Sequence, residues 1–246
     1  MLSLKEVARY DRQMRIEGWG EEGQIKLKKS KVVVAGVGGL GSPVALYLAA
    51  AGIGKIKLVD NEKVELSNLN RQILHWEEDV GKYKVDSAAE KLRRFNRKVE
   101  IVLDQSRISR ENAPKLVKGF DAAVDALDNF EARFYLNEAC VKENVPLIHG
   151  AVQGFEGRVA TVLPRASPCL MCIYGKIAAP RRSFPVVGAA PAAVASLQAM
   201  EVIKLITGIG KLATGKLIIL DGLTMEFDEI KVDRDPRCEV CGSRGF

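Results

Sequence analysis

Three groups of residues have the types and spacing to do chemistry. The first is Gly36-Val37-Gly38-Gly39-Leu40-Gly41, directly after the apolar run Val32-Val33-Val34-Ala35. Gly36, Gly38, Gly39 and Gly41 permit a tight turn and let backbone amides approach a phosphate, and the helix that follows presents its N-terminal amides to the same anion. Asp60 comes nineteen residues after Gly41, where a carboxylate accepts hydrogen bonds from ribose hydroxyls. The second group is Ser67-Asn68-Leu69-Asn70-Arg71-Gln72, then Lys84 and Asp128-Asn129. A hydride-transfer enzyme needs an open nicotinamide site after the glycine loop, and this block puts a cation and amides there. Arg71 and Lys84 suit a polyphosphate, and Asp128 suits Mg²⁺. Asn68 and Arg71 lie three apart and share a face if that segment turns as a helix. Together the set fits a triphosphate mononucleotide better than a dinucleotide.

The third group is sulfur. Four of the five cysteines form two pairs, Cys169-Leu-Met-Cys172 and Cys238-Glu-Val-Cys241. Four thiolates in two knuckles are the ligand set of a structural Zn²⁺, with a redox pair as the other reading of that spacing. Cys140, in Asn137-Glu138-Ala139-Cys140-Val141, is expected to be a buried structural thiol. His149 is expected as a hydrogen-bonded core or crevice residue rather than an acid–base catalyst, and Trp19 and Trp76 as packing anchors.

These residues must be positioned by alternating strands and helices. The pattern predicts a helical arm over residues 4–28, broken at Gly18-Trp19-Gly20. Strands are predicted over 32–35, 55–59, 99–103, 120–124 and 146–149, and helices over 42–51, 82–94, 109–117 and 131–143. Such alternation gives a Rossmann-like, doubly wound, mostly parallel sheet, with ligands at the strand carboxyl ends. Later strands at 157–163, 216–220 and 226–232 extend it antiparallel. A loop spans 174–187, expected to be mobile, and an apolar helix spans 189–207. The chain is expected to be one domain: an arm over 1–30, a nucleotide-binding part over 31–150, and a partner-binding and zinc part over 151–246.

Bulk properties narrow the function classes. A hydrophobic content of 47% supports a sizeable core. The net charge of +6 is scattered, without the dense basic stripe of a nucleic-acid binder. No apolar run is expected to reach the roughly 18 residues of a membrane span, and no signal peptide is evident. A cytoplasmic location follows as an expectation.

The chain resembles the MoeB/ThiF family of ubiquitin-activating-enzyme-like adenylyltransferases. The resemblance rests on Tyr10-Asp11-Arg12-Gln13, the Gly-x-Gly-Gly-Leu-Gly-Ser loop, Asp60, the block from Ser67 to Gln72, Gly81-Lys82-Tyr83-Lys84, Asp128-Asn129 and the paired cysteines. It covers essentially the whole chain. It implies ATP- and Mg²⁺-dependent adenylylation of the C-terminal glycine of a ubiquitin-like sulfur carrier protein ending in Gly-Gly, with release of pyrophosphate. It further implies a ribose contact at Asp60, phosphate contacts at Asn68, Arg71 and Lys84, and metal binding at Asp128. It also implies a homodimer in which Arg12 reaches the neighbouring subunit's site. Members that form a thioester or persulfide carry a cysteine in the segment before the 189–207 helix, and here that segment is Pro180-Arg181-Arg182-Ser183-Phe184-Pro185-Val186. The resemblance therefore implies a reaction that stops at the acyl-adenylate, with sulfur from another protein such as a cysteine desulfurase. Arg181 and Arg182 would then meet acidic residues of the carrier.

Three other functions fit part of the pattern. The related ATP-dependent dehydratase of threonylcarbamoyladenosine in tRNA shares the nucleotide site, but intact zinc knuckles count against it. An NAD-dependent dehydrogenase has no use for Arg71 and Asp128. A non-catalytic half of a heterodimeric activating enzyme would not retain Arg12, Arg71, Lys84 and Asp128 together. The missing cysteine yields a first prediction. With ATP and carrier, intact-mass measurement should detect no reducible carrier–enzyme adduct, and an adduct would point first to Cys140.

Overall fold

The structure is a computed structural model, and residues 1–175 and 185–242 are described. Eight strands form one sheet in the order β3-β2-β1-β4-β5-β6-β7-β8. They are β1 (Lys31–Ala35), β2 (Lys55–Val59), β3 (Glu100–Asp104), β4 (Ala122–Asp125), β5 (Leu147–Gln153), β6 (Glu156–Val162), β7 (Lys216–Asp221) and β8 (Glu226–Lys231). The first five pair in parallel, and β5 to β8 pair antiparallel. Strand order reverses between β1 and β4, where a doubly wound sheet opens its ligand crevice. Ala35 aligns there with Val59 on one side and Asp125 on the other.

Helices cover both faces, so the central strands are apolar on both sides. Val32 and Val34 face α2 (Gly20–Lys29), α3 (Gly41–Ala51), α4 (Lys84–Phe95) and α8 (Ala189–Thr207), in a core that includes Leu48, Ile56, Leu92 and Val194. Val33 and Ala35 point to the other face. There α5 (Ala113–Val117), α6 (Phe130–Glu143) and α7 (Leu170–Tyr174) build a second core around Leu136, Leu147 and Leu170. Burying each of these leucines contributes roughly 1.5–3 kcal/mol. The remaining helix, α1 (Leu4–Met14), starts with a capping box in which Ser3 and Glu6 satisfy each other's amides. Burial leaves Glu6 next to Lys28, and that hydrogen bond, with those from Ser3, holds its carboxyl at about 2.

Several boundaries differ from the sequence expectation for local reasons. The arm breaks over residues 15–19, which overlaps the expected Gly18-Trp19-Gly20 signal but opens three residues before it. The helix expected from Lys82 starts at Lys84, because Tyr83 is held extended by a bridge to Lys63. The helix expected from Ser109 starts at Ala113, since Ser109 and Asn112 close a turn on each other and Pro114 fits only a first helical turn. The short α7 carries too few residues for a periodic signal. Of the expected 174–187 loop, residues 176–184, with Arg181 and Arg182, lie outside the described residues. Residues 185–187 are tied to the turn after β5, where Gly154 donates to the Pro185 carbonyl at 2.7 Å. Trp19 is buried as expected, whereas Trp76 is 46% exposed and lies under the Lys91 ammonium.

The expectation that no apolar run approaches a membrane span is corrected by α8. Its 19 residues are long and apolar enough to cross a bilayer by length and composition. Its contacts with α3, β5 and β6 make it a core helix of this fold. Fully buried Gln198 fixes its position, donating from Nε2 to the Asp125 carbonyl at 2.8 Å and the Ile148 carbonyl at 3.2 Å. Replacing it with leucine keeps the bulk and removes both bonds. Gln198→Leu should therefore destabilise the fold by about 1–3 kcal/mol in urea unfolding.

Candidate nucleotide site and four-thiol centre

The glycine loop leaves the end of β1 and packs against the segment that leaves β4. Gly36 has φ of 90°, and a Cβ there would sit 2.5 Å from the Ala126 carbonyl oxygen. A Cβ on Gly41 would sit 1.9 Å from the Gly36 oxygen. Only glycine allows this turn to lie flat across the switch point. No side chain caps the N-terminus of α3. The Ser42 amide donates to the Gly38 carbonyl at 2.9 Å, the Val44 amide to the Leu40 carbonyl at 3.2 Å, and Pro43 has no N–H, so the amides of the glycine loop from Gly38 to Gly41 are the donors open to an anion.

Asp60, at the end of β2, accepts from the Val37 amide at 2.8 Å through Oδ2 and from the Glu62 amide at 2.8 Å through Oδ1. Burial raises its pKa, and the two amides work against that rise. The carboxylate thus ties the glycine loop to β2 and keeps lone pairs for a ribose. A second tie holds the loop from the other side. His75 Nε2 lies 2.9 Å from the Val37 carbonyl, and Nδ1 lies 2.8 Å from Ser87 Oγ. A carbonyl only accepts, so Nε2 carries the proton and Ser87 donates to Nδ1. Burial depresses the His75 pKa and keeps the ring neutral. Ser87 Oγ in turn accepts from Lys91, which pairs with buried Asp79.

The segment after β2 brings the expected cation to the loop. Leu66–Asn68 form a turn of 3₁₀ helix. Asn68 is buried, and its Oδ1 accepts from the Glu65 amide at 3.1 Å, so it holds this turn. Arg71 is half-buried, and its Nη1 donates to the Ser67 carbonyl at 3.0 Å and to Asn70 Oδ1 at 2.8 Å. Its stem lies against Gly39, where a Cβ would meet Arg71 Cγ and Pro191 at 3.4 Å. Gln72 is buried beside Gly38 with its Oε1 unpartnered. Lys84 is 3% exposed and pairs with Glu62 at 2.5 Å. It therefore lies near the crevice in a salt bridge, and contact with phosphate requires exchange of that partner.

Asp128 and Asn129 follow β4. Asp128 is exposed, and its one hydrogen bond among the described residues is from Asn129 Nδ2 at 3.3 Å. Asn129 caps α6 by accepting from the Ala132 amide at 2.9 Å, so it shapes the loop through the helix start. Beneath them lies a buried network that sequence reasoning missed. Asp125 Oδ2 is 2.9 Å from Arg133 Nε and 2.7 Å from His149 Nδ1, and His149 Nε2 is 2.8 Å from the Tyr174 hydroxyl. Burial opposes ionisation of Asp125, but Arg133 and His149 outweigh it and its carboxyl titrates below the usual range. Burial lowers the His149 pKa. The ring is therefore neutral, its Nδ1 proton goes to Asp125, and Tyr174 donates to Nε2. This bears out the expected core role of His149. The available signal was Asp125 itself, a carboxylate inside an apolar strand.

Arg12 does not join this crevice in its own chain. It is exposed in the last turn of α1. That helix docks on the C-terminal end of α3, where Gln13 donates to the Ala51 carbonyl at 2.9 Å. The glycine loop is at the other end of α3, roughly 15 Å away by helical rise.

The four paired cysteines converge as expected. Their Sγ atoms all lie within 4.8 Å of one another, with Cys169–Cys238 at 3.8 Å and Cys172–Cys241 at 3.4 Å. A tetrahedron of thiolates about 2.3 Å from Zn²⁺ has edges of ~3.8 Å, so the residues fit that metal. Cys140 is fully buried in the second core, and burial drives its thiol far above the ordinary range. That inertness agrees with the structural role expected for it.

The sequence profile described as the ThiF family matches residues 10–240. This chain belongs to the ThiF family. The SAMP-activating enzyme E1 of Haloferax volcanii is 39% identical to it, over 99% of this chain and 92% of that protein. A sulfur carrier protein adenylyltransferase of Thermus thermophilus is 41% identical, over 97% and 92% respectively. Among solved structures, MccB of E. coli with ATP superposes with a TM-score of 0.84 at 28% identity, over 95% of this chain and 73% of that one. This ThiF-family chain thus shares the fold of a protein solved with ATP.

The thiol centre yields a prediction with a defined sign. Burial pushes the Cys169 thiol up, and it holds Cys172 at about 11, so loading the metal must displace protons. Zinc affinity should fall as pH is lowered from 8 to 6, measured by competition with a chromogenic chelator. Protein purified without chelators should carry one zinc per chain, and four freely titratable thiols would contradict this assignment.

Proposed function

We propose that the chain uses ATP to adenylylate the C-terminal glycine carboxylate of a ubiquitin-like sulfur carrier protein. The supporting observation is the crevice at the β1–β4 switch point. The glycine loop, Asp60, Arg71 and the exposed carboxylate of Asp128 all lie around it, and the relatives' names point to the same reaction class. A carboxylate oxygen of the carrier attacks the α-phosphorus of ATP. The bond from that phosphorus to the bridging oxygen breaks, and pyrophosphate leaves. No nucleophile from the enzyme is needed, so rate comes from positioning and charge stabilisation.

Each residue then has a defined task. Asp60 holds the ribose, and the glycine-loop amides and Arg71 hold phosphate oxygens. Lys84 leaves Glu62 to meet the developing charge, Asn68 holds its turn through Oδ1 and offers Nδ2 to phosphate, and Gln72, beside Gly38, is a further nucleotide contact. Asp128 is the ligand for Mg²⁺, which when bound supplies charge neutralisation on the phosphates. Asn129 fixes the loop from which Asp128 projects. Zn²⁺ is held by Cys169, Cys172, Cys238 and Cys241 in a structural role. Arg12 reaches the site of the second subunit of a homodimer. Sulfur comes from a separate donor such as a cysteine desulfurase, and the reaction is placed in the cytoplasm. The alternative tRNA dehydratase has no observation in its favour.

Asp128→Ala should abolish carrier-dependent ATP–pyrophosphate exchange, a loss of roughly 10²-fold or more. Circular dichroism should stay native, because Asp128 is exposed and supports little of the fold. Exchange at the wild-type rate would refute the assignment.

A further inference from the structure

The two centres are joined through named atoms. Cys169 and Cys172 bracket α7, and Tyr174 is its last residue. The Tyr174 hydroxyl donates to His149 Nε2 at 2.8 Å, and His149 Nδ1 donates to Asp125 Oδ2 at 2.7 Å. Asp125 Oδ1 accepts from the Leu127 amide at 3.1 Å. Arg133 pairs with Asp125 and also donates to the Leu127 carbonyl. Both polar groups of Leu127 are thus held by this network, and the next residue is Asp128. A second link runs through α6, whose Asn137 Oδ1 accepts from the Leu170 amide at 3.0 Å, while its first residue follows Asn129.

We propose that Tyr174 and His149 are positioning residues that couple the four-thiolate centre to the loop carrying Asp128, so that zinc occupancy and Mg²⁺–ATP binding strengthen each other. The proposal rests on the assignment of Asp128 as a group that binds the metal–nucleotide. The metal orients α7, and α7 orients Tyr174. Tyr174 locks the His149 ring, and that ring, with Arg133, fixes Asp125 and the Leu127 peptide. Packing alone does not make this link directional. The neutral His149 ring has one acceptor nitrogen, filled by Tyr174, and one N–H, spent on Asp125, so loss of the Tyr174 hydroxyl leaves the ring held from one side only. Coupling between two binding sites is reciprocal, which supplies a test that needs no turnover.

Zinc release from the holoprotein to a zinc-selective chromogenic chelator would be timed with and without saturating Mg²⁺–ATP. Mg²⁺–ATP binding to zinc-loaded protein would be measured by calorimetry. In wild type, Mg²⁺–ATP should slow zinc release by about three- to tenfold. Tyr174→Phe removes one oxygen and no thiol, so it should keep one zinc per chain. Its release should no longer respond to Mg²⁺–ATP, and its Mg²⁺–ATP affinity should drop by about three- to tenfold. His149→Ala should do the same, and the double variant should be no worse than either single one. Zinc release that ignores Mg²⁺–ATP in wild type, or Tyr174→Phe with wild-type affinity, would overturn the coupling. Asp128→Ala separates the two readings. If it binds Mg²⁺–ATP as wild type does, the assignment of Asp128 is wrong. If it loses binding while Tyr174→Phe does not, only the coupling fails.

Discussion

The close approach of Gly36 to the Ala126 carbonyl is the constraint on which the site depends. It brings the segments leaving β1 and β4 into contact at the one place where the sheet reverses its strand order. Any side chain at Gly36 would wedge them apart. With that contact made, the glycine loop and the segment carrying Asp128 lie side by side at the switch point. Asp60 and His75 then fix the same residue, Val37, through its amide and through its carbonyl. The loop is held in place by side chains of this chain before any ligand arrives, so ligand need not supply that ordering.

The charges around the crevice are stored in different ways. Lys84 is buried and already neutralised by Glu62, while Arg71 is braced by its own loop and half-exposed. A buried lysine without a partner would bear a large desolvation penalty, and Glu62 removes it. The acid Asp128 stays in water, whereas Asp125, three residues earlier, is fully buried and matched by Arg133. One is free to take a ligand, and the other is committed to shape.

Much of this was legible in the sequence. The alternation of strands and helices, the antiparallel extension, the glycine loop with Asp60 and the four converging cysteines all carry strong local signals. The site residues were harder to separate by role. Asn68 and Asn129 look like ligands by type, and only coordinates show that the oxygen of each is committed to a local turn. Lys84 is a cation by type, and its pairing with Glu62 depends on a segment twenty-two residues away. Arg133, His149 and Tyr174 have no motif at all. Their connection exists only because β4, β5 and α7 end at the same edge. The apolar helix α8 was legible over its full length, but not its fitness by length and composition to cross a bilayer, because Gln198, Glu201 and Lys204 interrupt it.

The cysteine pairs lie far apart in the chain, with Cys169 and Cys238 separated by 69 residues. Closing so long a loop is entropically costly for an unfolded chain, and a metal that closes it gains most where the loop is long. Protein synthesis runs from the N-terminus, so the first knuckle emerges well before the second. Until residues 238–241 are made, Cys169 and Cys172 can offer a metal only half a coordination shell. Completion of the centre therefore marks a late moment in the life of the nascent chain, after the parallel part of the sheet has already been synthesised.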